Sequence, residues 1–245
     1  MLQVSNYEND YTSLPFEDIL RGYRRENIFR SIKHYAAKRI LEIGCGPDPL
    51  FIHFNDFDSM LVVEPGNIFF EKALAAAGAN SKIRVTNAFI EDLAEELEKE
   101  QFDFIIIGGF LHEISNPEQV LQSVKKIAAA TTVVHSFVPN ARSFHRLLAY
   151  ESGIIDSIYK KSAHDELFQR TSVYDADTYS RLFTDNGFRV SDAGSYFIKP
   201  FTHTQMVAML SNGIIDGAVL NGLNKMTGYL PGLGAELYVN CTLQS

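Results

Sequence analysis

Two acidic residues stand where apolar strands run into turns: Glu42 in the stretch Arg39–Pro49, and Glu64 at the end of Met60-Leu61-Val62-Val63. Glu42 lies two positions before Gly44, and Gly46 follows, giving Glu-x-Gly-x-Gly with Cys45 as a small residue inside the turn. The glycines free the backbone to turn tightly and let a ligand approach its amide groups. Glu64 follows Glu42 by 22 positions, close to the spacing of about 20 at which a second-strand acid reaches a ribose. A carboxylate accepts two hydrogen bonds from a vicinal diol and offers little to a phosphate. A dinucleotide fingerprint, Gly-x-Gly-x-x-Gly, requires a third glycine at position 49, where Pro49 stands, so a nicotinamide-dependent oxidoreductase is the disfavoured reading.

A second chemical group follows the apolar run Phe104–Ile107: Gly108, Gly109, Phe110, Leu111, His112, Glu113. Paired glycines at a strand's carboxyl end bring a ligand close to the backbone. His112, beside Glu113, titrates near neutral pH and suits a general base; it equally suits a hydrogen bond that holds the loop.

These residues need strands and helices to hold them. Branched apolar runs at 39–43, 60–64, 83–85, 102–107 and 131–138 read as strands buried on both faces. Apolar residues at helical spacing alternate with them: Ile68, Phe69 and Ala73, then Leu93 and Leu97, then Val120, Leu121, Val124 and Ile127. Asp48-Pro49 predicts a helix N-cap and first turn, and Asn116-Pro117 with Gln119 predicts a capping box. Ile28, Phe29, Ile32 and Tyr35 predict an amphipathic helix over 25–36. Asp175 predicts a cap for a helix that Gly187 ends, Phe188–Pro200 a long sixth strand, 204–226 helix broken by glycines, and 235–240 a final strand.

The ordered set of Glu-x-Gly-x-Gly, the second-strand acid, Phe-Asp before the fourth strand and Leu-His-Glu after it resembles the class I S-adenosylmethionine-dependent methyltransferases. Val-Pro-Asn followed by Ser-x-His-Arg at 138–146 resembles a small-molecule subgroup of that family. The resemblance implies an α/β fold: a doubly wound, seven-stranded Rossmann-like sheet, its last strand antiparallel, under an N-terminal helical lid. It implies one domain over 1–245, made of a lid (1–36), a cofactor-binding half (37–138), a substrate-side insertion (139–174) and the C-terminal half of the sheet (175–245). It implies S-adenosyl-L-methionine as cofactor, S-adenosyl-L-homocysteine as product, and cofactor contacts from Tyr11, Glu42, Gly44, Cys45, Gly46, Glu64, Pro65, Asn87, Ala88, Phe89, Gly108, Gly109 and Leu111. Glu91 is a further candidate at the adenine turn. It implies acceptor contacts from Tyr23, Arg24, Asn140, His145, Arg146, Arg170 and Tyr174, with His112 and Glu113 as catalytic candidates. The reaction implied is methylation of an oxygen or nitrogen of a small polar metabolite, such as a sugar or natural-product intermediate. A catalytically silent binding or partner subunit is the non-enzymatic alternative.

Composition narrows the partners. The 245 residues carry a formal net charge of -8 and are 46% hydrophobic, enough for one sizeable core. That charge disfavours a general grip on nucleic acid through phosphates. Two cysteines, Cys45 and Cys241, make neither a disulfide framework nor a metal cluster, and no metal is expected. The start of the chain has no export signal and no apolar run approaches the roughly 18 residues of a membrane span, so a cytoplasmic protein is expected, as a monomer or homodimer.

Overall fold

The computed structural model describes residues 16–161 and 171–244. Seven strands form one sheet: β1 (Arg39–Ile43), β2 (Ser59–Val63), β3 (Ile83–Thr86), β4 (Phe104–Ile107), β5 (Val133–Pro139), β6 (Phe188–Tyr196) and β7 (Glu236–Leu243). Their order is β3-β2-β1-β4-β5-β7-β6. β1 to β5 run parallel, and β7 is antiparallel to both β5 and β6. The order reverses between β1 and β4, which opens a crevice at their carboxyl ends.

The central strands β1, β2 and β4 are mostly apolar and buried because both of their faces are covered. Leu41, Ile43, Leu61, Val63, Ile105 and Ile107 pack on one side with Ile90, Leu97, Val120 and Val124. Those partners come from α3 (Ile90–Leu97) and α4 (Pro117–Ile127). The alternate residues, Ile40, Met60, Val62, Phe104 and Ile106, pack on the other side with Ile28 and Ile32 of α1 (Glu17–His34). Period-two alternation therefore feeds two cores instead of one core and solvent. Among the described residues, the remaining α-helices are α2 (Asn67–Ala77), α5 (Phe144–Glu151), α6 (Ala176–Asp185), α7 (His203–Ser211) and α8 (Gly217–Lys225). A third cluster joins Leu20 and Tyr23 of α1 to Tyr196, Phe197, Met206 and Leu220.

Several expectations are corrected. α1 begins at Glu17, eight residues before the predicted start, because Arg21, Arg24 and Arg25 interrupt the apolar pattern without interrupting the helix. Asp48-Pro49 starts no α-helix; Leu50–Ile52 is a single 3-10 turn. The Asp48 carboxylate binds the Arg25 and His53 side chains, and the amide of Leu50 goes to Glu42, so nothing is left to cap. Asn116 makes no side-chain cap to α4. β6 stops at Tyr196 because Phe197 takes a positive φ of 57° and its amide leaves the sheet for Asn224 Oδ1, while Ile198 N bonds Leu223 O. β7 runs to Leu243, three residues past the expected end. The Asp175 cap is as predicted: its side chain accepts from Thr178 N in a capping box.

Candidate active site

A cavity of about 930 Å3 opens at the carboxyl ends of β1, β2 and β4, at the upper end of the roughly 300–1,000 Å3 typical of small-molecule sites. The ladder carries on past the strands there: Gly44 N donates to Val63 O, Gly108 N to Ile43 O, and Glu64 N to Thr86 O, at 2.8 to 3.0 Å. Gly44 and Gly46 sit at φ of 73° and 58°, a backbone open to glycine and strained for most other residues. A Cβ on Gly108 would overlap the carbonyl oxygen of Gly44, so only glycine lets the two turns meet.

Two buried carboxylates line this floor. Glu42 accepts from Leu50 N at 3.1 Å through Oε2. Burial pushes its pKa up to about 8; the Leu50 amide opposes the shift and the charges of Glu64 and Asp48 add to it. Glu64 Oε2 accepts from Gly46 N at 3.0 Å and Oε1 from Gly66 N at 2.8 Å. These two amides fix the direction of the carboxylate at the mouth of the glycine turn, where the Cys45 side chain also meets it. Cys45 lines the turn, and burial raises its thiol pKa further from ionisation.

The cavity also collects Pro65, Ala88, Phe89, Glu91, Gly108 and Glu113 from the predicted set. Asn87 lies behind it, donating from Nδ2 to the carbonyls of Glu64 (2.9 Å) and Pro65 (3.2 Å). Gly109, Leu111 and His112 do not line it. Leu111 belongs to the core, and a Cβ on Gly109 would strike the Phe137 ring. His112 is buried with Nε2 3.4 Å from Glu113 Oε1, and its carbonyl accepts from the amides of Thr171 and Ser172.

Of the predicted acceptor contacts, Arg24 alone among the described ones reaches the cavity. Tyr23 instead stacks on Phe197 at 4.8 Å and donates to Asn221 Oδ1. Asn140 donates to the carbonyls of Gly232 and Gly234, and Arg146 to those of Ile158 and Lys160. Tyr174 pairs with Asn140 and packs on Tyr179, and His145 also lies off the cavity. The loops after β5 thus use Asn140 and Arg146 to hold themselves. Tyr11 and Arg170 lie outside the described residues.

Sequence reasoning did not assign the rest of the wall: Arg21, Arg25 and Ile28 on one face of α1, Asp48, Phe69 and Phe110, the stretch Ile114–Asn116, Gln119, Phe137 and Thr171. The arginines recur at i, i+3 and i+4, a helix-face signal that a search for apolar periodicity passes over.

A model of the methyltransferase domain family matches residues 20–193, most of the chain. The chain belongs to the class I S-adenosylmethionine-dependent methyltransferases. No curated protein matches it. Among solved structures, the plantazolicin methyltransferase BamL, in complex with a desmethyl plantazolicin analogue and S-adenosylhomocysteine, shares 14% identity over 99% of this chain and 90% of its own, with a TM-score of 0.59. A methyltransferase from Thermotoga maritima, described as a possible histamine N-methyltransferase, shares 17% identity over 93% of this chain and 97% of its own (TM-score 0.56). The CurJ carbon methyltransferase shares 16% over 85% of this chain (TM-score 0.51), and the match spans only 49% of the CurJ chain. At these identities the likeness is one of fold.

The cavity of this methyltransferase fits S-adenosylmethionine, its family's cofactor. Gly46, at positive φ with open space where a Cβ would stand, leaves the turn bare towards the cavity, and the lining carboxylates Glu42, Asp48, Glu64, Glu91 and Glu113 supply the acceptors that a cationic nucleoside requires. Among the described residues, no group of three or more His, Cys, Asp or Glu is placed to hold a metal ion, and no helix is long and apolar enough to cross a membrane.

Proposed function

We propose that the chain transfers a methyl group from S-adenosylmethionine to an oxygen or nitrogen of a small polar metabolite, as one domain built on the single sheet. The observation that carries this is Glu64: a buried acid at the end of β2, tied to the glycine turn through Gly46 N and lining the cavity. In this reading Glu64 receives the ribose hydroxyls, Glu42 and Gly44–Gly46 the amino-acid end, and Ala88, Phe89 and Glu91 the adenine edge. Asn87 positions that edge by holding the backbone of Glu64 and Pro65.

When bound, the cofactor supplies an electrophilic methyl carbon on a sulfonium. The chain's own work is to align a nucleophile, exclude water and accept a proton. Ile28, Phe110 and Phe137 supply apolar wall. Glu113 is a buried carboxylate on that wall, and it takes the proton of the acceptor's O–H or N–H; His112, 3.4 Å away, positions it. The net charge of -8 supports a small molecule over a nucleic acid. The sugar-directed reading rested on Asn140 and Arg146, which hold loops in the structure, so it has lost that support.

The test is transfer of a labelled methyl group from S-adenosylmethionine into the small-molecule fraction of a cell extract. Label is expected there, and Glu113→Gln is expected to lower its incorporation about 100-fold or more while leaving S-adenosylhomocysteine affinity in place. Cofactor binding with no label in any fraction would favour the silent partner subunit.

A further inference from the structure

Arg24 is a buried cation with more structure around it than a helix staple needs. Its Nε donates to Glu236 Oε2 at 2.9 Å, and its Nη2 binds Glu17 at 2.9 Å and also Glu236. Tyr196 donates its hydroxyl to Glu236 Oε2, the oxygen that also accepts from Arg24 Nε. The guanidinium carbon lies 5.0 Å from the centre of the Phe137 ring, so the plane is fixed by a π-face as well as by two carboxylates. Burial opposes its charge, but Glu236 and Glu17 hold the pKa well above the ordinary arginine value. Among the described residues, Nη1 has no protein partner, although the side chain is only 12% exposed and lines the cavity.

Arg21 lies one turn earlier and lines the same cavity. Its side chain is 18% exposed, and its ion pair is with Asp18, whose side chain is 92% exposed. An ion pair so open to water holds an arginine weakly. Nε and Nη2 of Arg21 have no partner among the described residues. Two guanidiniums thus line one cavity with N–H donors left over, and Phe137 and Glu113 line the same cavity.

Resting on the methyltransferase reading above, we propose that Arg21 and Arg24 form a subsite for an anionic oxygen group, a carboxylate or a phosphate, carried by the methyl acceptor. Guanidiniums meet such groups with paired, charge-assisted hydrogen bonds. The subsite and Glu113 sit on different walls, so the acceptor is anchored at its anion while its nucleophile meets the base. Phe110 and Phe137 make the surface between them apolar, which suits a planar or hydrocarbon body next to the anion.

The test uses the full chain saturated with S-adenosylhomocysteine and titrated with benzoate, with phenyl phosphate, and with neutral benzamide. Either anion is expected to bind at least about 10-fold tighter than benzamide, and the tighter of the two names the acceptor's group. Arg21→Gln, whose lost ion pair is solvent-exposed, is expected to fold normally and to erase that preference. Arg24→Lys keeps the buried charge and is expected to weaken the anion about 10-fold or more, with a cooperative melt confirming the fold. Equal binding of benzoate, phenyl phosphate and benzamide, or a preference untouched in both variants, would overturn the proposal. So would a loss of S-adenosylhomocysteine affinity in Arg21→Gln with methylthioadenosine, which lacks the carboxylate, unaffected: the arginines would then hold the cofactor's own anion. Failure of wild-type protein to bind S-adenosylhomocysteine at all would remove the methyltransferase reading and this subsite with it.

Discussion

Glu42 and Glu64 are neighbouring acids with different tasks, and their surroundings explain the difference. Glu64 is held by two amides donated from glycines, whereas Glu42 is buried with the Leu50 amide for support and a pKa near 8. The folded state therefore binds the Glu42 proton more tightly than the unfolded chain does. This group's contribution to stability is greatest below its ordinary pKa of 4.5 and is lost as pH rises towards about 8. Glu42→Gln is expected to remove that loss and raise ligand-free stability at pH 8 by on the order of 1–3 kcal/mol, with little change at pH 4.5. Thermal melts at the two pH values measure it, and an equal shift at both would mean that the carboxyl's ionisation is not the cause. Glu42 was legible in the sequence from its spacing to the glycines, and Glu64 from its place at a strand end 22 positions after Glu42. The arginines of α1 were not assigned as a row, because their helical face is written in charge and apolar periodicity does not report it.

At the scale of elements, α1 is joined to the sheet by one buried ion pair, Arg24–Glu236, across most of the chain's length. Burial would raise the Glu236 pKa, but Arg24 lowers it, so the carboxylate stays charged. Removing one partner strands the other charge, and Glu236→Ala is expected to cost about 3–5 kcal/mol in chemical denaturation; a cost below about 1 kcal/mol would show that the pair is solvated. The β1 and β4 turns meet with no room to spare. Gly108→Ala is expected to destabilise by about 3 kcal/mol or more and to weaken S-adenosylhomocysteine binding, because the Gly44 carbonyl must move. A melt unchanged from wild type would contradict that packing. Strand positions were legible because branched apolar runs bounded by glycine and proline have few other uses. Element ends were less so. The 3-10 turn at Leu50 arises because Glu42 and Arg25, distant in sequence, take the groups that a helix start would have used.

At the scale of the molecule, the reversal of strand order between β1 and β4 gathers Glu42, Glu64 and the two glycine turns into one crevice, and α1 lays three arginines along its wall. The sequence carried the first part of that arrangement through repeated strand-turn-helix units and their strand-end acids. It did not carry the second, because closing the cavity depends on how α1 and the loop after β4 pack in three dimensions. Asn140 and Arg146 show the same limit: polar residues after a fifth strand read as substrate contacts until the carbonyls of Gly232, Gly234 and Ile158 are seen to need them. The most direct measurement of the central claim is a calorimetric titration of the full chain and of Glu64→Ala with S-adenosylhomocysteine, with NADH as the competing ligand class. One site per chain is expected for S-adenosylhomocysteine, weakened in Glu64→Ala by about 1–3 kcal/mol as ribose hydroxyls lose their acceptor. Tighter binding of NADH, or an affinity for S-adenosylhomocysteine indifferent to Glu64, would contradict the account.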